Sequence, residues 1–295
     1  MKRLAIPLVL LVAACAPPRV HVVPADQLAA VAARIGQVGE GDALIVAAGD
    51  IADCGEQLEA ARSTAALVQL FPSATVIAAG DTAYPDGAPA DFERCYEPTW
   101  GAFKSRTRPA PGNHEHHTPG AAGYFAYFGV PPFYSFDLGA WHIVSLDSMR
   151  DVGEQSEQVA WLRRDLESSD KPCILAFWHH PRFSSGVHGR QRHDPGRQTG
   201  VLWRVLAEHR AALIVNGHDH HYERFARIDG IREIVAGTGG ARLRPAIFPG
   251  RRSQVGDARH YGVLVLTLHP ASYEWHFLGI DGMVHDSSGA PEPCR

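Results

Sequence analysis

Five short segments recur along the chain in one order, each closing an apolar run that reads as a buried strand. They are GDIAD around Asp50, GDTAY from Gly80 to Tyr84, GNHE from Gly112 to Glu115, FWHHP around His179, and GHDH from Gly217 to His220. Asn, His and Asp are ordinary loop residues, so one such segment would carry little weight. Five in series restrict the fold severely. Helical stretches separate the runs ALIVAAG, TVIAAG, RPAPG, CILAFW and ALIVNG, and this alternation predicts strands buried between helices. From Gly129 onward adjacent strands enter (FYSFDL, WHIVSLD), and ERFARI, IREIVAG, GVLVLTL and SYEWHFL predict antiparallel strands at the end of the chain. The expectation is a mixed α/β sandwich whose motif loops gather at the carboxyl ends of the strands, where open α/β sheets bind ligands.

With 295 residues, of which 45% are hydrophobic, the chain can build one large core. The formal net charge of −4 gives no bulk attraction to nucleic acid or to an anionic membrane face. An anionic substrate would have to be attracted locally, by metal ions and a few placed side chains.

The N-terminus reads as an export signal over residues 1–15. Lys2 and Arg3 form the basic start, Leu4 to Val12 the apolar run, and Val12-Ala13-Ala14-Cys15 a cleavage site. The run is too short to span a bilayer. Small residues before a Cys resemble a bacterial lipoprotein box, which would lipidate Cys15; an ordinary cleaved signal is the alternative. Ala16 and Pro17 carry no inner-membrane retention cue, so the expected location of the exported chain is the bacterial cell envelope, lipid-anchored at the outer membrane or surface, with a periplasmic or secreted protein as the alternative. Residues 16–42 are expected to form a tether and a short helix, capped by Asp26, with Leu28, Val31, Ile35 and Val38 on one face. The catalytic domain is expected over residues 43–295. Besides Cys15 there are four cysteines, for which Cys54–Cys95 and Cys173–Cys294 are the favoured pairs; a buried free thiol at Cys173 is the other reading.

The motif residues suit a pair of metal ions. Two ions about 3.5–4 Å apart can clamp the oxygens of a phosphoryl displacement and activate water near neutral pH. Such a pair needs a bridging carboxylate, and Asp81, midway through the series, is the natural bridge.

The order GD, GDxxY, GNHE, a His two residues before Pro, and GHxH resembles the calcineurin-like metallophosphoesterases. Tyr84 and the string GHDHHYER from Gly217 to Arg224 are similar to the purple acid phosphatase branch. The resemblance implies a four-layer sandwich of two mixed sheets flanked by helices. It also implies one metal site of Asp50, Asp81, Tyr84 and His220, and a second of Asp81, Asn113, His179 and His218. Many relatives carry a His two residues after the first Asp; Ala52 stands there, and Tyr84 can supply the missing ligand. A phenolate suits Fe(III), and the other site suits Zn, Mn or Fe(II). His114 is expected beside the phosphate as acid or electrostatic stabiliser, and His188 as a substrate-facing residue. His116, His117, His193 and His221 are expected in solvent or behind the ligands. Arginines of the loops Arg182 to Arg197 and Arg242 to Arg259 are candidates for the cleft rim. The implied activity is hydrolysis of small phosphate monoesters by a metal-activated hydroxide. Diester or nucleotide hydrolysis on the same site is the alternative, and a non-catalytic metal- or surface-binding lipoprotein is the rival of another class.

Overall fold

The computed structural model describes residues 25–295 apart from 56–57, 190, 192, 246–249 and 251. The expected signal, the lipidation site at Cys15 and most of the tether lie outside the described residues. Two large sheets form the body. In the first, the strands run in the spatial order Val284–Ser287, Ser272–Gly279, Gly262–Leu268, Ala43–Ala48, Thr75–Ala79 and Thr107–Ala110. In the second the order is Ser253–Asp257, Tyr222–Phe225, Arg232–Ala236, Leu213–Asn216, Cys173–Phe177, Trp141–Ser145 and Tyr134–Leu138. The motif-bearing strands are parallel to one another within each sheet, and the antiparallel strands lie outside them.

Side-chain alternation explains the layering. In the strand Ala43–Ala48, Ile45 and Ala47 face the core between the sheets, while Val46 and Ala48 face the outer helical layer. Successive residues of a strand point to opposite faces, so apolar side chains at every position mean burial on both sides. The helix Leu58–Gln69 packs Leu67 and Val68 on the first sheet. The helices Glu157–Ser168 and Gly200–Glu208 cover the second with Leu162, Leu202 and Leu206. This is the four-layer sandwich that the sequence resemblance implies.

Two segments differ from the sequence reading. The first helix ends at Ile35, and Val38 lies beyond it and is exposed, because Gly36 interrupts the periodic face. The helical stretch expected between TVIAAG and RPAPG is broken into the short pieces Pro89–Asp91, Phe92–Tyr96 and Trp100–Arg106. Pro98 cannot donate a helical hydrogen bond. Both favoured disulfides are present, Cys54–Cys95 and Cys173–Cys294, so Cys173 is not a free thiol.

Candidate metal centre

The parallel strands of the two sheets end at a common edge, and short backbone bonds join their loops. Asp50 N–H donates to Gly80 O at 3.0 Å, and Gly217 N–H to His179 O at 3.0 Å. Close approach requires glycine at two of these turns: a Cβ on Gly80 would fall 2.4 Å from His179 Nδ1, and one on Gly112 would fall 2.1 Å from Asp81 Oδ1. Asp50, Asp81 and His218 hold positive φ angles of 59°, 49° and 71°. A non-glycine residue in this region is strained and persists where its surroundings over-determine it, as functional sites do.

Tyr84 stands at the meeting point of one group. Its hydroxyl lies 3.0 Å from Asp50 Oδ1, 3.2 Å from Asp81 Oδ2 and 3.2 Å from His220 Nε2. Asp81 Oδ2 also lies 3.1 Å from His179 Nε2, so this carboxylate faces both Tyr84 and His179. The imidazoles are aimed by their other nitrogens: His179 Nδ1 is 2.9 Å from Ala79 O, and His220 Nδ1 is 2.8 Å from Arg242 O. Such second contacts set tautomer and ring direction in metal sites. His218 binds Asp194 Oδ2 through Nε2 at 2.9 Å, leaving Nδ1 to offer, and its ring centre is 5.0 Å from that of His179.

Asn113 sits between Gly112 and His114, whose N–H donates to Asp81 Oδ1 at 2.9 Å. Its side-chain oxygen is buried without a hydrogen-bond partner, and His179 Nε2 has Asp81 Oδ2 beside it at 3.1 Å in an ion-pair contact rather than an aligned hydrogen bond. A buried polar atom left unpaired costs about 1–3 kcal/mol, and a bound cation would satisfy the Asn113 oxygen. Electrostatics agree. Burial opposes the charge on Asp81, yet His179 outweighs it and holds the carboxyl well below the usual carboxylate range. Burial likewise opposes the His179 imidazolium, but Asp81 and Asp50 push its pKa up to about 10. The dense anionic oxygens retain positive charge at their centre. Burial, then Asp50 and Asp81, push the Tyr84 phenol well above its ordinary value, so its phenolate requires a strongly charged cation beside it. The donor set therefore fits metal ions.

His114 is partly exposed, with Nε2 3.8 Å from Asp81 Oδ2 and Nδ1 bound to Pro85 O. His188 lies across the cleft, its ring centre 4.3 Å from that of His218 and its Nε2 2.8 Å from Arg244 Nη1. Arg244 thus joins one Arg-rich loop to the site, whereas Arg182 and Arg197 line a separate depression with Trp203 and Glu208. His116 pairs with buried Asp147 at 2.9 Å, and His117 with Asp86 at 3.0 Å. His221 is fully buried against Glu223 and takes no part in the cluster.

Two groups escaped sequence reasoning. Glu115, fully buried, accepts from Asp81 N–H at 2.9 Å, Gly112 N–H at 2.7 Å and Thr82 N–H at 2.7 Å, locking two motif loops together. Its place in GNHE was the available signal. Asp194, which orients His218, lies in a loop with no pattern to mark it. His180 stays beside the cluster, its Nδ1 2.8 Å from Ser148 Oγ.

The model of the calcineurin-like phosphoesterase family matches residues 20–222. Purple acid phosphatase 23 of Arabidopsis thaliana is 32% identical over 171 residues, covering 49% of this chain and 36% of that protein. The chain therefore spans about a third of that relative's length. The purple acid phosphatase PPD1 from yellow lupin (Lupinus luteus) seeds superposes with a TM-score of 0.70 at 20% identity, over 85% of this chain and 54% of that one. GAP50, described as the anchor in the inner membrane complex of Plasmodium, gives a TM-score of 0.67 at 14% identity, over 86% of this chain and 89% of that one. On the match over residues 20–222 and the similarity to purple acid phosphatases, the chain belongs to the calcineurin-like phosphoesterase family.

Proposed function

We propose that this protein is a binuclear metal-dependent phosphatase of the purple acid type, acting on small phosphate monoesters. The observation that carries the reading is the single Tyr84 hydroxyl within 3.2 Å of Asp50, Asp81 and His220, in a cluster closed to solvent. Asp50, Asp81, Tyr84 and His220 would hold one ion, with Fe(III) favoured by the phenol, and Asp81, Asn113, His179 and His218 the other, with Zn, Mn or Fe(II). Bound there, two ions would supply Lewis acidity toward phosphate oxygens and lower the pKa of water so that a nucleophile exists near neutral pH.

The protein's own residues do the rest. Ala79 O and Arg242 O keep His179 and His220 aimed at the cluster, and Asp194 does so for His218. Glu115 holds the Gly80–Ala83 and Gly112 loops at fixed separation, so Asp81 and Asn113 keep one geometry. His114, with Nδ1 engaged by Pro85 O, presents Nε2 as the nitrogen that carries or receives a proton. His188 and Arg244 face the same cleft and offer donors to phosphate oxygens. The two disulfides accord with an exported protein, and a lipid anchor on Cys15 belongs to the same proposal.

Comparing p-nitrophenyl phosphate with bis(p-nitrophenyl) phosphate tests the substrate class. Faster hydrolysis of the monoester is expected; preference for the diester would replace the monoesterase reading by a phosphodiesterase one. No activity in metal-replete protein would overturn both.

Tyr84 gives a spectroscopic test of the iron site. Protein holding ferric iron should be coloured by phenolate-to-iron charge transfer, and Tyr84→Phe should bleach it. A colourless wild type with iron bound would rule out Tyr84 as a ligand. Colourless protein holding only Zn or Mn would remove the iron assignment and leave the phosphatase one.

A further inference from the structure

A second cluster of metal-binding side chains lies away from the motif loops, where the edges of the two sheets come together. Asp257 ends the edge strand Ser253–Asp257 of the second sheet, and His285 lies in the edge strand Val284–Ser287 of the first. His260 follows Asp257 in the connection to the next strand, and Asp281 lies in the turn before His285. One donor atom each from Asp257, His260 and His285 lie within 4.8 Å of one another.

We infer that Asp257, His260 and His285 form a further site for a divalent transition ion of the Zn²⁺ kind, with Asp281 orienting the two imidazoles. Asp257 Oδ2 is 2.7 Å from His260 Nδ1 and 3.9 Å from His285 Nδ1. Tetrahedral Zn²⁺ with bonds near 2.0–2.1 Å places neighbouring donors about 3.3 Å apart, between these two values. The opposite nitrogens face one carboxylate: His285 Nε2 is 3.0 Å from Asp281 Oδ1, and His260 Nε2 is 3.8 Å from Asp281 Oδ2. A carboxylate behind a metal-binding imidazole fixes its tautomer and raises its basicity.

Charge favours a cation at the same place. Among the described residues, the ion-pair partners of Asp257 and Asp281 are these two rings alone. With neutral imidazoles the cluster carries two negative charges and no balancing Lys or Arg. The rings lie face to face, with centroids 3.8 Å apart and planes 13° from parallel, so their donor atoms stand side by side next to Asp257. Space is kept for the Asp281–His285 pair: a Cβ on Gly279 would fall 2.6 Å from Asp281 Oδ1 and 2.7 Å from His285 Nε2. Two imidazoles with one carboxylate select Zn²⁺ and its neighbours over Ca²⁺ or Mg²⁺. All four side chains are partly exposed, which gives an ion access and leaves water to complete the coordination.

The test compares full-length wild type with His285→Ala and His260→Gln after equilibration with Zn²⁺ and removal of weakly bound metal. Wild type should hold about one more equivalent than either variant, and Zn²⁺ should raise the Tm of wild type more than theirs, since an ion bound only to the folded state stabilises it. Phosphatase activity should be equal in all three, because none of these residues touches the motif loops. Equal zinc content in folded wild type and variants would overturn the site, whatever becomes of the phosphatase reading. Circular dichroism identifies a misfolded His285→Ala protein; the partly exposed His260 then carries the comparison alone.

Discussion

Asp81→Asn and Asp81→Ala are each expected to lose both catalytic metal ions and with them all measurable turnover. Asp81 Oδ2 faces Tyr84 and His179 together, at 3.2 and 3.1 Å, and those residues fall in the two halves of the proposed ligand set. No other carboxylate in the cluster contacts both. Removing it takes a ligand from each ion and also the negative charge that offsets their mutual repulsion. The two substitutions separate chemistry from strain. Asp81 has φ 49°, a conformation that Asn accepts and that costs Ala roughly 1–2 kcal/mol. Asn keeps the backbone and an acceptor for His114 N–H, yet lacks the charge. Metal analysis on purified, folded protein is the measurement. Full occupancy in Asp81→Asn would show that Asp81 bridges nothing, and loss in Asp81→Ala alone would assign the effect to the backbone.

Much of this arrangement was legible because the signals were local. Each motif ends an apolar run, four of the five begin with Gly, and five such loops at strand ends meet where parallel strands finish together. The layering followed from runs such as ALIVAA and CILAF, apolar at every position and so buried on both faces. What stayed hidden depends on tertiary contact. Glu115 is one letter in a motif, and its role as acceptor for four backbone N–H groups exists only once the Gly80 and Gly112 loops adjoin. Asp194 lies 24 positions before His218 in a polar loop, and no periodicity marks it as the residue that holds that ring. The broken helix before Arg106 shows the reverse case: alternation with strands suggested one helical stretch, but Pro98, which cannot donate a helical hydrogen bond, lies between its pieces. The cluster at Asp257, His260 and His285 joins strands from different sheets and forms no sequence motif at all.

His114→Ala should retain the metals and the fold while lowering turnover by roughly 10²–10⁴, the range for a lost general acid or electrostatic stabiliser. The backbone N–H of His114 serves Asp81, and that bond survives the substitution. Its ring is partly exposed beside the cluster, and Nε2 stays 3.8 Å from Asp81 Oδ2, too far for a direct hydrogen bond and near enough to reach a phosphate held there. Pro85 O accepts from Nδ1–H, so a proton on Nε2 is the one available to a departing alcohol. The defect should therefore depend on the leaving group. It should be smaller for p-nitrophenyl phosphate, whose phenolate departs without protonation, than for an alkyl phosphate. Removing the His188 ring, which touches Arg244 rather than Asp50 or Asp81, should instead raise KM with little change in kcat if it holds only the ground-state phosphate. Steady-state kinetics of both variants on both ester classes decide between these roles. An equal loss on aryl and alkyl esters in His114→Ala would leave charge stabilisation and refute proton donation. Loss of metal in that variant would move His114 from the substrate side into the ligand set.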